Sequence, residues 1–170
     1  MRAAILGCGY VGLALGRLLR EAGHDVTGVR RSDAGLRAVE DAGLRAGRAD
    51  VTDGGWLGFA ASSGGRSAAA AREVYVDGLE TTAEAFAARA NPPERLVYTS
   101  STGVYGDHGG DWVDETTALD PATERTRVLV EAEERARDAP FDATVARFAG
   151  LYGPERYRLE RYLDGPVTEG

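Results

Sequence analysis

The segment Gly7-Cys8-Gly9-Tyr10-Val11-Gly12 constrains this chain most, because of what flanks it. The apolar stretch Ala3-Ala4-Ile5-Leu6 runs into it, and Leu13, Leu15, Leu18 and Leu19 follow in a helical pattern. A G-x-G-x-x-G string is weak alone; between a strand and a helix it predicts a dinucleotide-binding turn. Gly7 permits the tight turn, Gly9 lets a pyrophosphate approach the backbone, and Gly12 lets the helix pack closely on the strand. The helix opening at Tyr10 and Val11 then offers unpaired N–H groups and a partial positive charge. An ordinary glycine-rich strand–turn–helix would share the pattern without the ligand.

The rest of the chain repeats the alternation. Asp25-Val26-Thr27-Gly28-Val29 reads as a second strand, and Asp33 can cap a helix that runs to about Ala42 and stops at Gly43. Leu44 to Ala49 is a weaker third strand. Arg72 to Ala90 predicts a long helix, with Val76, Leu79, Ala83 and Phe86 spaced by three and four. Leu96-Val97-Tyr98-Thr99 is the next strand, followed by a polar loop from Ser100 to Ala122. A helix over about Thr123 to Arg137 precedes a last strand, Ala143 to Phe148. Strands alternating with helices imply an α/β fold, a doubly wound parallel sheet of the Rossmann type. The expectation is one dinucleotide-binding domain over residues 1–170, with its C-terminal substrate lobe largely absent. The fourth-strand region is shortened: between Asp50 and Ser63 only Trp56 to Ala61 is apolar enough for a strand, where a full crossover takes at least ten to twelve residues.

Composition narrows the function classes. Hydrophobic content of 43% and charged content of 28% fit a globular protein. A net charge of −7 disfavours nonspecific binding to nucleic acid. No apolar run approaches the roughly 20 residues that cross a bilayer, and neither a membrane nor a secretory leader is expected. The single cysteine, Cys8, excludes an intrachain disulfide, which fits a reduced cytoplasm. Cys8 reads as a small residue tolerated by the turn, and two histidines without close ligand spacing argue against a metal site. All 20 basic residues are arginine; the chain has no lysine.

Around Tyr98-Thr99-Ser100-Ser101-Thr102-Gly103-Val104-Tyr105-Gly106-Asp107 the chain resembles the extended short-chain dehydrogenase/reductases, the NAD(P)-dependent epimerase/dehydratase family. Asp50-Val51, Glu115, Pro121, Glu133, Arg147-Phe148 and Leu151-Tyr152-Gly153-Pro154 match in the same order. The resemblance implies that Ser101 orients a substrate oxygen; capping of the strand end is the alternative role. It also exposes a departure. The family's base is the tyrosine of Tyr-x-x-x-Lys, whose lysine lowers the phenol's pKa from about 10. Here the matching positions hold Arg125 and Leu129, and a guanidinium stays protonated. The chain is therefore similar to an atypical subgroup lacking that pair. Tyr105 is most simply a packed aromatic beside the cofactor loop, and is the nearest candidate should proton transfer survive.

The cofactor reading turns on the end of the second strand. NAD-preferring folds place an acidic residue there for the ribose 2′-hydroxyl. This strand ends Val29-Arg30-Arg31-Ser32, where guanidinium groups would bind a 2′-phosphate, so NADP is the first expectation. Asp33 follows closely enough to keep NAD as the second. By resemblance, Asp50 and Val51 contact the adenine, and Ala60, Ala61 and Ser62 lie beside the nicotinamide ribose. The implied activity is an oxidoreductase or epimerase acting on a nucleotide-sugar or similar small polar metabolite. The rival is a noncatalytic dinucleotide-binding sensor or scaffold; a homodimer is an open question.

Overall fold

A computed structural model describes residues 1–48, 67–154 and 156. Asp50, Val51, Ala60, Ala61 and Ser62, expected to contact the cofactor, and the strand expected over 56–61 lie outside the described residues.

The chain opens with β1 (Arg2–Leu6), α1 (Tyr10–Glu21), β2 (Asp25–Arg30), α2 (Asp33–Asp41) and β3 (Arg45–Arg48). The strands are parallel and lie in the order β1-β2-β3, with Arg2 opposite Asp25 and Thr27 opposite Arg45. Ser32 starts α2: its hydroxyl accepts from the Gly35 N–H at 3.2 Å. Gly43, at φ +72°, turns the chain out of that helix into β3.

The second half carries α3 (Ala68–Arg72), a π-helical turn (Glu73–Asp77), α4 (Gly78–Ala87), β4 (Arg95–Ser101), a 3-10 turn (Thr102–Tyr105), α5 (Glu124–Asp138) and β5 (Asp142–Phe148). β4 and β5 pair in parallel, Arg95 opposite Asp142 through Ser101 opposite Phe148. The long helical stretch begins earlier than its apolar periodicity predicts, because Ser67 caps it by accepting from the Ala70 N–H. β4 likewise runs two residues past Thr99, so Ser100 and Ser101 belong to the strand. Thr123 and Thr126 start α5 with a reciprocal capping box.

Side chains alternate across the strands and split the interior into two cores. Ile5, Val26, Val39 and Leu44 pack on one face with α1 and α2. Leu6, Val29, Val76, Leu79, Tyr98 and Val128 pack on the other, so β1 and β2 share a core with α4, α5 and β4. This is the doubly wound arrangement, and it leaves both functional segments at carboxyl ends of strands: the glycine turn after β1, the Ser101 turn after β4. Among the described residues no helix is long and apolar enough to cross a membrane.

Candidate functional site

The glycine turn is built from backbone. Gly7 sits at φ +62°, a region that side chains disfavour. The Cys8 N–H donates to the Val29 carbonyl at 3.1 Å, tying the turn to β2, and the Leu13 N–H donates to the Gly9 carbonyl at 2.7 Å, starting α1. No side chain caps α1 and no acidic residue stands in its first turn, so the N–H groups of its first turn, Tyr10, Val11 and Gly12, are left for a ligand. Gly12 is buried: a Cβ there would lie 2.9 Å from Ile5 Cγ2 and 3.4 Å from Cys8 Sγ. Cys8 is fully buried, and burial pushes its thiol up despite the nearby Arg30 cation. It is not an activated nucleophile.

Arg30 crosses from the end of β2 to the turn. Its Nη1 donates to the Cys8 carbonyl at 3.0 Å and would lie 2.9 Å from a Cβ on Gly9. A Cβ on Gly35 would meet Arg30 Nε at 2.7 Å, so two glycines make room for one guanidinium. Arg31 is exposed, and its carbonyl accepts from Arg48 Nη1 at 3.1 Å. Ser32 is the α2 cap. Asp33 is ion-paired with Arg48, which engages the carboxylate closest to the place where an NAD ribose would need one.

The second segment is held by a buried ionic network. Ser101 is half-buried at the end of β4, and its Oγ accepts from the Gly103 N–H at 3.2 Å. Tyr105 is only 6% exposed; its hydroxyl accepts from Arg147 Nη1 at 2.8 Å, and the same guanidinium lies 4.9 Å from its ring centre. That is the geometry of a packed aromatic whose phenol is already engaged. Arg147 also grips Glu133, which is fully buried, with Nε and Nη2 at 2.7–3.2 Å; Arg137 donates to it at 3.0 Å. Burial alone would raise the Glu133 carboxyl. The hydrogen bonds from Arg147 and Arg137 outweigh it and hold the group below the usual carboxylate range. The buried Ser100 hydroxyl helps, although it lies outside full hydrogen-bonding geometry. Tyr105, Arg137, Arg147 and Glu115 line an open cleft of ≈ 540 Å³ beside β5.

Gly106 explains the Tyr-Gly pair. It has φ +75°, and a Cβ would lie 2.1 Å from the Asp120 carbonyl oxygen, a backbone atom that cannot swing away. The Asp120 N–H donates back to the Val104 carbonyl at 3.2 Å, closing the loop. Gly106→Ala is therefore expected to destabilise the protein. The backbone conformation alone costs about 1–3 kcal/mol. A lowered urea midpoint with an unchanged slope would report it; an unshifted midpoint would show that the loop relaxes.

Arg125 stands in the second position of α5, its Cζ 5.9 Å from the ring centre of Tyr75 in the π-helical turn. Leu129 lies one turn on, so the start of this helix presents a stacked cation and no acid–base pair. Nothing in the sequence marks this contact: the π-helical turn that carries Tyr75 leaves no sign in the spacing of Val76, Leu79 and Ala83.

Comparison with known proteins gives one consistent neighbourhood. The model of the NAD dependent epimerase/dehydratase family matches residues 3–164. Protein YeeZ of Escherichia coli K12 is 31% identical over 169 residues, covering 92% of this chain and 61% of YeeZ. A solved structure from Methylobacillus flagellatus, provisionally assigned as an NAD-dependent epimerase/dehydratase, is 32% identical with a TM-score of 0.76, over 99% of this chain and 61% of that one. A UDP-galactose 4-epimerase shares the fold at 24% identity and a TM-score of 0.76, over 93% of this chain and 58% of its own. The chain thus spans about three-fifths of the length of these relatives.

Proposed function

The chain belongs to the NAD dependent epimerase/dehydratase family, and from that premise we propose that it binds NADP(H) in preference to NAD(H) and serves hydride transfer on a nucleotide-sugar or similar polar metabolite. The observation that carries the cofactor reading is Arg30 lying across Gly9 with Nη1 on the Cys8 carbonyl. The glycine turn suits a dinucleotide: positive φ at Gly7, an uncapped helix start, and at Gly9 only the far end of the flexible Arg30 side chain in the approach. A nicotinamide would supply the hydride acceptor or donor. The protein's own contributions are narrower: the backbone of Gly9 to Gly12 binds phosphate, Arg30 and Arg31 supply positive charge for a 2′-phosphate, and Ser101 orients a substrate oxygen.

Arg125 favours a second reading, a dinucleotide-binding protein without family-type chemistry. A stacked guanidinium at the base position can hold an anion but cannot accept a proton. The missing general acid–base group is worth roughly 10²–10⁴-fold in rate. Robust turnover on a nucleotide-sugar would exclude the second reading.

Calorimetry with NADPH and NADH tests the preference. The wild type is expected to bind NADPH at least about tenfold more tightly, the size of one charge-assisted contact. Arg30→Ala/Arg31→Ala is expected to lose that margin while keeping NADH affinity. Equal affinities in the wild type would overturn the assignment.

A further inference from the structure

The turn carrying Gly153 and Arg156 is seated on the glycine loop's first helical residue. The Arg156 N–H donates to the Gly153 carbonyl at 2.9 Å, and the Gly153 N–H donates back at 3.3 Å, forming an isolated antiparallel bridge. Gly153 has φ +150°, and a Cβ there would lie 2.2 Å from Tyr10 Oη. Only a residue without a side chain allows the turn to come this close to Tyr10.

The consequence is where it puts a cation. The Arg156 guanidinium lies 4.9 Å from the centre of the Tyr10 ring. Tyr10 follows Gly9 directly and stays 39% exposed. Arg156 is itself exposed, and among the described residues it faces no carboxylate within ion-pair distance. An exposed stack of this kind is worth only about 0.5–1 kcal/mol, so stability alone gives little reason to hold it. The loop, by contrast, has a use for it. A pyrophosphate carries full negative charges, whereas a helix N-terminus supplies only about half a positive one. The other cation at the loop, Arg30, has Nη1 committed to the Cys8 carbonyl.

We propose that Arg156, presented on the face of Tyr10, is a cationic contact to the pyrophosphate of the bound dinucleotide. The turn bearing Gly153 then forms one wall of the cofactor site. Tyr10 acts through Arg156 as a positioning residue: its ring aims the guanidinium, while its hydroxyl is dispensable. This rests on the dinucleotide-binding reading given above.

Calorimetry on the full chain tests it with two probes, NADPH and adenosine 2′-phosphate, which lacks the pyrophosphate. Arg156→Gln is expected to weaken NADPH about tenfold and to leave adenosine 2′-phosphate unchanged. Tyr10→Leu is expected to lose as much, Tyr10→Phe to match the wild type, and Tyr10→Leu/Arg156→Gln to be no worse than either single variant. Added salt is expected to weaken NADPH more in the wild type than in Arg156→Gln. If the wild type binds neither probe, the dinucleotide reading itself falls. If it binds NADPH and Arg156→Gln binds it equally well, or loses both probes alike, the Arg156 contact falls and the dinucleotide reading stands.

Discussion

Glu133→Ala is expected to lose about 3–5 kcal/mol of folding stability, the cost of stranding a buried charge. The stranded charge is Arg147, whose side chain is only 13% exposed and which bonds Glu133 and Tyr105 together. Glu133→Gln keeps an acceptor oxygen and should lose less. The same variant set should show the pH dependence. Because Glu133 is held below its ordinary value of 4.5, its contribution is fully present above about that pH and disappears as pH falls through the lower folded value. The stability gap between wild type and Glu133→Gln should therefore be widest near neutrality and shrink in acid. Chemical denaturation at several pH values measures it. A gap that is absent at neutral pH would mean the network is no more stabilising than neutral packing, as some buried ion pairs are. The effect reaches the site as well, since Arg147 fixes the Tyr105 ring from which Gly106 turns.

How much of this was legible in sequence depends on the range of the interactions. The strand, glycine turn and helix from Arg2 to Glu21 could be read because their signals are local: apolar spacing and glycine at a fixed offset. The start of α3 is not legible for a local reason of another kind, since Ser67 caps an alanine run with no amphipathic spacing to mark it. The sequence predicts an end to β4 at Thr99, because Ser100 and Ser101 are poor strand formers. Pairing along β5 overrides that preference. Side-chain roles were harder. Arg30 reads as a cation at a strand end, but its bond to the Cys8 carbonyl joins residues 22 apart. Glu133 and Arg147 stand out in sequence only by family resemblance, and their pairing is set by α5 and β5 burying them together. Tyr10 and Arg156 meet only through the turn at Gly153, and no periodicity encodes that meeting.

Gly9→Val is expected to abolish dinucleotide binding in a protein that still folds, a loss on the order of 100-fold or more if two charge-assisted phosphate contacts go. Folding should survive for two reasons. The φ of Gly9 is −100°, outside the left-handed region, so a side chain is not excluded by the backbone. The nearest atom to an added Cβ is Arg30 Nη1 at 2.9 Å, the far end of a flexible side chain; the Gly7 carbonyl oxygen is at 3.4 Å. Valine therefore displaces Arg30 and fills the approach to the turn. Gly12, whose Cβ would press on Ile5 at 2.9 Å, carries the helix packing and is left intact. Displacing Arg30 is not by itself enough to explain total loss, and Arg30→Ala separates the two effects. That variant should keep NADH and lose its margin for NADPH, whereas Gly9→Val should lose both. Calorimetry with each nucleotide, beside circular dichroism to verify the fold, makes the comparison. A folded Gly9→Val protein with wild-type affinity would mean that the glycine turn does not receive phosphate, and the cofactor would have to be sought elsewhere on the chain.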